Sequence, residues 1–140
     1  HWIHRIDNWC HSDQLSRIYS HFLESDFEAV YPQVIEWNQS DDVWSRRSSL
    51  VSLVHYSGKH AVFLTPPRVL PLVQNCLSDP RHYVQTAVGW VLREMGDVYR
   101  NEVIYFTEEN SERFFAATLS RTTERLPKEL RIRLRALRRG

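Results

Sequence analysis

Apolar positions recur along this chain at three- and four-residue intervals and almost nowhere alternate, so the pattern predicts helices and nearly no strand. Periodicity together with start and stop residues places helices at 6–22, 27–38, 41–56, 66–77, 80–97, 99–107 and 110–125, with 127–138 readable as a basic helix or as a tail. In the longest of these, Tyr83, Val84, Ala87, Val91 and Val98 gather on one stripe that asks for burial. Trp90 falls at the edge of that stripe, flanked by Gly89 and Thr86. An edge tryptophan can pack sideways as core, or it can show a flat face to something outside the protein. Asp79 and Pro80 suit the cap and first position of this helix. The first helix has its stripe at Leu15, Ile18, Tyr19 and Phe22, and the third at Val43, Leu50 and Val54. Pro32 and Pro71 come early in their helices and should end or bend the first turn. Segment 57–65, with Ser57-Gly58-Lys59-His60, reads as a loop.

A short helix followed by a longer one is a recurring unit. Val34-Ile35-Glu36-Trp37 precedes Trp44 to Tyr56 across the capping pair Asp41-Asp42, and Leu72 to Cys76 precedes Tyr83 to Met95. Setting Arg47 against Thr86 gives an offset of 39 residues, close to the roughly 40–47 residues of HEAT repeats. A third, shorter pair runs from Val103 to Leu126. No such pair can bury its apolar face alone, so the pairs should stack into a curved solenoid. The expectation is an all-α helical-repeat solenoid of about seven helices, with 1–126 as a single domain and 127–140 as a basic C-terminal helix or tail.

Composition changes this picture little. The 140 residues suffice for one domain with a core, and 42% hydrophobic with 25% charged residues is ordinary for a globular protein. There is no apolar run of eighteen residues and no signal-peptide pattern, so no membrane partner is expected. The chain begins at His1 rather than Met, as a processed or truncated piece would. Cys10 and Cys76 make no disulfide framework, which favours a reducing, cytoplasmic setting. Charge is uneven. Residues 121–140 carry eight basic residues against Glu124 and Glu129, a net +6, which leaves −5 for the first 120 residues of a chain whose total is +1. All the basic residues except Lys59 and Lys128 are arginines, whose planar fork suits phosphate.

Three places could carry chemistry. In Asp7-Asn8-Trp9-Cys10-His11-Ser12-Asp13, Trp9 and Asp13 share a face one turn apart, on the side of the first helix away from its apolar stripe. A tryptophan there is either covered by a neighbour outside the chain or exposed for use. In Asp42-Val43-Trp44-Ser45-Arg46-Arg47, two arginines interrupt an apolar stripe near a helix N-terminus. They are either paired with a buried carboxylate or emerge onto a groove, where a phosphate could sit. The third place is Val84-Gln85-Thr86-Ala87-Val88-Gly89-Trp90-Val91-Leu92-Arg93-Glu94. Its wording strongly resembles the signature helix of the HEAT-repeat DNA alkylation repair glycosylases (the AlkD-like family). It departs at Thr86, where a basic residue is common in the family. Trp9-x-x-x-Asp13 and Trp44-x-x-Arg47 match the family's other functional positions, in order and at similar intervals. The resemblance runs from about Ile6 to about Pro127 and corresponds to the C-terminal part of the family fold.

The resemblance implies a glycosylase that removes cationic alkylated purines of the 3-methyladenine or 7-methylguanine type from double-stranded DNA, in base excision repair. It implies catalytic Asp13, Trp9 and Trp90 and DNA-binding Arg47, with Trp44 beside it and Arg46 as added charge of the right sign. It implies no cofactor and no metal, a monomer acting on DNA, and a cytoplasmic, nucleoid-associated location. Asp13 would stabilise the oxocarbenium-like sugar and position or deprotonate water, the tryptophan faces would hold the sugar, and Arg47 would anchor a phosphate. A non-catalytic HEAT module binding branched or distorted DNA and a protein-binding solenoid are the alternatives. His1, His4, Cys10 and His11 fit no standard zinc spacing. Arg93 and Glu94 suggest an internal pair, because Glu94 projects onto the apolar stripe.

Overall fold

The computed structural model describes residues 2–54 and 64–140. Within them the chain forms a 3₁₀ turn at Trp2–Arg5, α1 Trp9–Ser25, α2 Phe27–Gln39, α3 Val43–Val51, α4 Pro66–Cys76, α5 His82–Gly96, α6 Arg100–Glu109, a second 3₁₀ turn at Ser111–Arg113, α7 Ala116–Thr123 and α8 Lys128–Arg139. The all-α expectation holds, and among the described residues there is no strand.

Local chemistry sets most helix ends. The Asn8 side chain caps α1 by accepting the His11 N–H at 3.0 Å, and Asp42 caps α3 by accepting that of Ser45 at 2.8 Å. Helix α5 corrects the expectation: it starts at His82 with Arg81 as cap residue, and Asp79 instead accepts the Arg81 N–H at 3.0 Å in the preceding turn. Pro32 and Pro71 lie inside α2 and α4, and neither ends its helix there. The buried residues beyond each proline, Val34 and Trp37 in one and Leu72 and Val73 in the other, hold the later turns in place. The helix expected over 41–56 stops at Val51, and its last residues, with most of the loop expected at 57–65, lie outside the described residues. The helix expected over 110–125 is divided, because Phe114 adopts extended backbone to bury its ring ahead of α7.

Helices α1, α3, α5 and α7 pack side by side in one row, with α2, α4 and α6 packed against that row and a shared apolar core between them. This is a helical-repeat solenoid. Its successive pairs are α2–α3, α4–α5 and α6–α7. The short-then-long order holds only for α4 and α5, of 11 and 15 residues, whereas α2 is longer than α3. Helix α8 docks through fully buried Leu134 onto the Ser111–Arg113 turn, and the Arg138 Nε donates to the Phe114 carbonyl at 2.7 Å.

Helix α1 reverses its expected orientation. Ile18 and Phe22 of the apolar stripe are about half exposed, while Ser12, Ser16 and Ser20 are buried. Those serines face α3 and the turn after it: Ser12 and Ser48 share a hydroxyl contact of 2.8 Å, Ser16 donates to the Ser48 carbonyl at 3.3 Å and to the Ser12 carbonyl of its own helix, and Ser20 donates to the Val54 carbonyl at 2.9 Å. Small hydroxylated side chains let two helices approach closely while every buried hydroxyl finds an acceptor. The apolar stripe lines an open cleft of about 990 Å³ between α1 and α2, with Ile3, Ile6 and Trp37.

Candidate active site

The serine contact between α1 and α3 sets the register in which the two polar signals meet. Asp13 follows Ser12 and Arg47 precedes Ser48, so pinning the two hydroxyls together places the two charged side chains opposite each other. Arg47 Nε donates to Asp13 Oδ1 at 2.8 Å and Nη2 donates to Oδ2 at 2.9 Å, a two-pronged ion pair. Nη1 reaches α5 and donates to the Tyr83 carbonyl and the Thr86 hydroxyl, each at 2.8 Å. Four of the five guanidinium N–H groups are thus committed to protein acceptors. The arginine expected to face a phosphate is turned to the carboxylate, and its side chain is only 7% exposed against 19% for Asp13.

Thr86 earns its place here. A basic side chain at 86 would put like charge against Arg47, whereas the threonine hydroxyl accepts from it. Tyr83 corrects the expected stripe: it is 37% exposed on the open side of α5 while Val84, Ala87, Val88 and Val91 are buried. Its ring lies 5.0 Å from that of Trp44 and beneath the Arg47 guanidinium. Trp90 follows Thr86 by one turn on the same side of α5, partly buried and packed against the core. Trp9, one turn before Asp13, is 52% exposed. Asp13, Arg47 and Trp44 are therefore joined through α5, with Trp9 and Trp90 one turn from the joined atoms on their own helices.

Arg46 goes elsewhere. Its Nη1 donates to Asp79 at 2.8 Å and its Nε to the Asn38 carbonyl, so the charge expected to face DNA closes a structural knot behind α3. Asp79 accepts four donors there, from Arg46, the Arg81 backbone and both sides of the Arg81 fork. The hydrogen-bonded Arg81 guanidinium, with Arg46 beside it, holds the Asp79 carboxyl well below the usual carboxylate range. Three of the donors come from Arg81, two residues away, and the fourth comes from Arg46, 33 residues earlier, which no local pattern announces. Gln85 completes the region, donating to the carbonyls of Cys76, Leu77 and Asp79 and accepting from Thr118. The expected Arg93–Glu94 pair forms at 3.1 Å and extends to Glu124 and Arg125 of the α7 end.

Among the described residues no cluster of His, Cys, Asp and Glu could hold a metal, while His1 and the side chain of His4 lie outside them. Cys10 and Cys76 are free thiols, and burial pushes that of Cys76 up to about 11. No described helix is long and apolar enough to cross a membrane. A family model described as DNA alkylation repair enzyme matches residues 1–126, which include every helix up to α7 and leave out α8. No curated protein and no solved structure matches the chain.

Proposed function

The chain belongs to the family of DNA alkylation repair enzymes, and from that premise we propose that it is a glycosylase hydrolysing the N-glycosidic bond of cationic alkylated purines in double-stranded DNA. Membership links it to DNA repair and to DNA as its substrate. The bond cut and the residues that cut it are our reading, and one observation carries it. The Asp13 carboxylate is held at both oxygens by the Arg47 fork, yet stays partly open to solvent with an exposed tryptophan one turn away.

A cationic alkylated purine departs without a proton, so the positive charge that grows on the deoxyribose is the quantity to be stabilised. Asp13 supplies the opposing charge and accepts a proton from the attacking water through a lone pair that Arg47 leaves unused. Two parallel hydrogen bonds fix the plane of that carboxylate, which makes Arg47 a positioning residue whose fifth N–H is left for a phosphate oxygen. The faces of Trp9 and Trp90 favour the cationic sugar. Trp44, stacked near Tyr83, supports the Arg47 side chain rather than contacting the sugar. Base excision repair in the cytoplasm, at the nucleoid, is the setting this reaction implies.

Release of free base from a duplex containing 7-methylguanine tests the reading. The native chain should release the base, and Asp13→Asn should lose release while still binding the duplex. Binding without release by the native chain would replace the glycosylase with a DNA-binding module.

A further inference from the structure

Helix α7 and the turn that follows it lay two arginines across α5, and they meet opposite surroundings. Arg125 finds carboxylates: its Nη1 lies 2.5 Å from Asp97 and its Nη2 3.2 Å from Glu94. Arg121, four residues earlier and within α7 itself, meets α5 at Gly89. A methyl group placed on Gly89 would stand 2.9 Å from the Arg121 Cδ and 3.1 Å from its Cβ and Cγ, so the aliphatic stem runs directly over the α5 backbone. Gly89 is the residue that permits that crossing. Among the described residues no ion pair engages the Arg121 guanidinium, although Arg93, Arg125 and Arg133 all have carboxylate partners. Arg121 is exposed, and Gly89, which its stem crosses, follows Thr86, the Arg47 anchor, by three residues, about 4.5 Å along the α5 axis.

We infer that Arg121, carried over Gly89 on α5, is a phosphodiester contact of the duplex on the α1–α3–α5–α7 row. The inference rests on the reading that this row receives DNA. Its logic is one of supply. Arg46 is closed off by Asp79 and Arg47 is largely closed off by Asp13, so the cations named from sequence leave little charge for a backbone. An exposed arginine that Glu124 influences only at a distance, with no carboxylate at ion-pair range and its stem laid against helix backbone, offers its fork to one phosphate. It is carried by a helix inside the family-matched residues, unlike the basic α8.

Affinity for an unmodified duplex, measured across a salt series, tests this with Arg121→Gln, Arg121→Lys and Arg125→Gln. Both glutamine variants remove one charge, and thermal melting checks that each is folded. Arg121→Gln should weaken binding severalfold near 0.1 M salt and reduce the slope of log K against log salt by about 0.9. Arg121→Lys should keep that slope, and Arg125→Gln, whose charge is already paired, should leave both quantities nearly native. Arg121→Gln equal to native, Arg125→Gln as damaging as Arg121→Gln, or a native chain that does not bind duplex would each overturn the inference. Base release assayed in the same preparations separates the two claims. Binding that depends on Arg121 without release sinks the glycosylase alone, and release indifferent to Arg121 sinks the phosphate contact alone.

Discussion

Two adjacent arginines on α3 make two ion pairs of opposite character. Arg46 closes on Asp79, where four donors fill both carboxylate oxygens and the side chain is 3% exposed. Arg47 closes on Asp13, where two donors leave acceptor capacity free and 19% of the side chain is open. The chemistry of the partners is the same, so the difference lies in saturation and access. A carboxylate whose lone pairs are all taken can only hold structure together. One that is oriented but not saturated can still accept a proton or face a cation. The pair on the row side is the one our proposal puts to use, and the pair behind it fixes the turn that sets where α5 begins.

Four substitutions test this contrast. The largest effect should come from Asp13→Asn, with base release falling by about 10²–10⁴-fold in a protein that still folds, at a melting temperature lowered by the loss of the charged partner of Arg47. Asp79→Asn should do the reverse, retaining the active-site carboxylate but destabilising the fold by roughly 3 kcal/mol, since it leaves two arginines without their partner. Its pH signature follows from the depressed folded carboxyl. Asp79 contributes full stability above its unfolded value, near 4, and loses it as pH falls towards the lower folded value, so the native melting temperature should drop below about pH 4. In Asp79→Asn that drop should flatten, and an unchanged acid limb would show that the knot is not what titrates.

Arg47→Lys keeps the charge and removes the fork. Base release should fall about tenfold through misplacement of Asp13, with a smaller stability loss of about 1–2 kcal/mol, read by single-turnover kinetics and thermal melting. Activity equal to native would mean that charge alone, not orientation, is what Asp13 requires. The smallest effect should be that of Gly89→Ala. Helix propensity favours alanine by about 0.8–1 kcal/mol, but the added methyl meets the Arg121 stem at 2.9–3.1 Å and pushes α7 away. A net loss of about 1 kcal/mol in denaturant unfolding is expected, and a gain would show that α7 yields without cost.

Much of this arrangement is legible in the residues. Asn8 and Asp42 announce their helices because a cap is a contact within four residues, and α4 and α5 follow from apolar spacing alone. The face that α1 buries was not legible. Periodicity identifies the apolar side of a helix, but α1 meets α3 through Ser12, Ser16 and Ser20, because close approach to another helix rewards small side chains with local acceptors. Tyr83 was misplaced for a related reason. A ring at the N-terminal end of α5 can count towards the buried stripe by angle and still stand over Arg47 on the open side. Asp79 had the right spacing for a cap and a stronger pair of partners in Arg46 and Arg81.

The helical class and the pairing of successive helices can be read from local pattern, since each depends on neighbours one or two turns away. Only the tertiary structure decided which arginine serves Asp13 and which is locked to Asp79, because a rotation of 100° along α3 sends Arg46 and Arg47 to different neighbours from distant segments. It also decided that Arg121 crosses a glycine beside Trp90 while Arg125 meets acids. That outcome depends on the register of α7 against α5, which packing across the whole row sets.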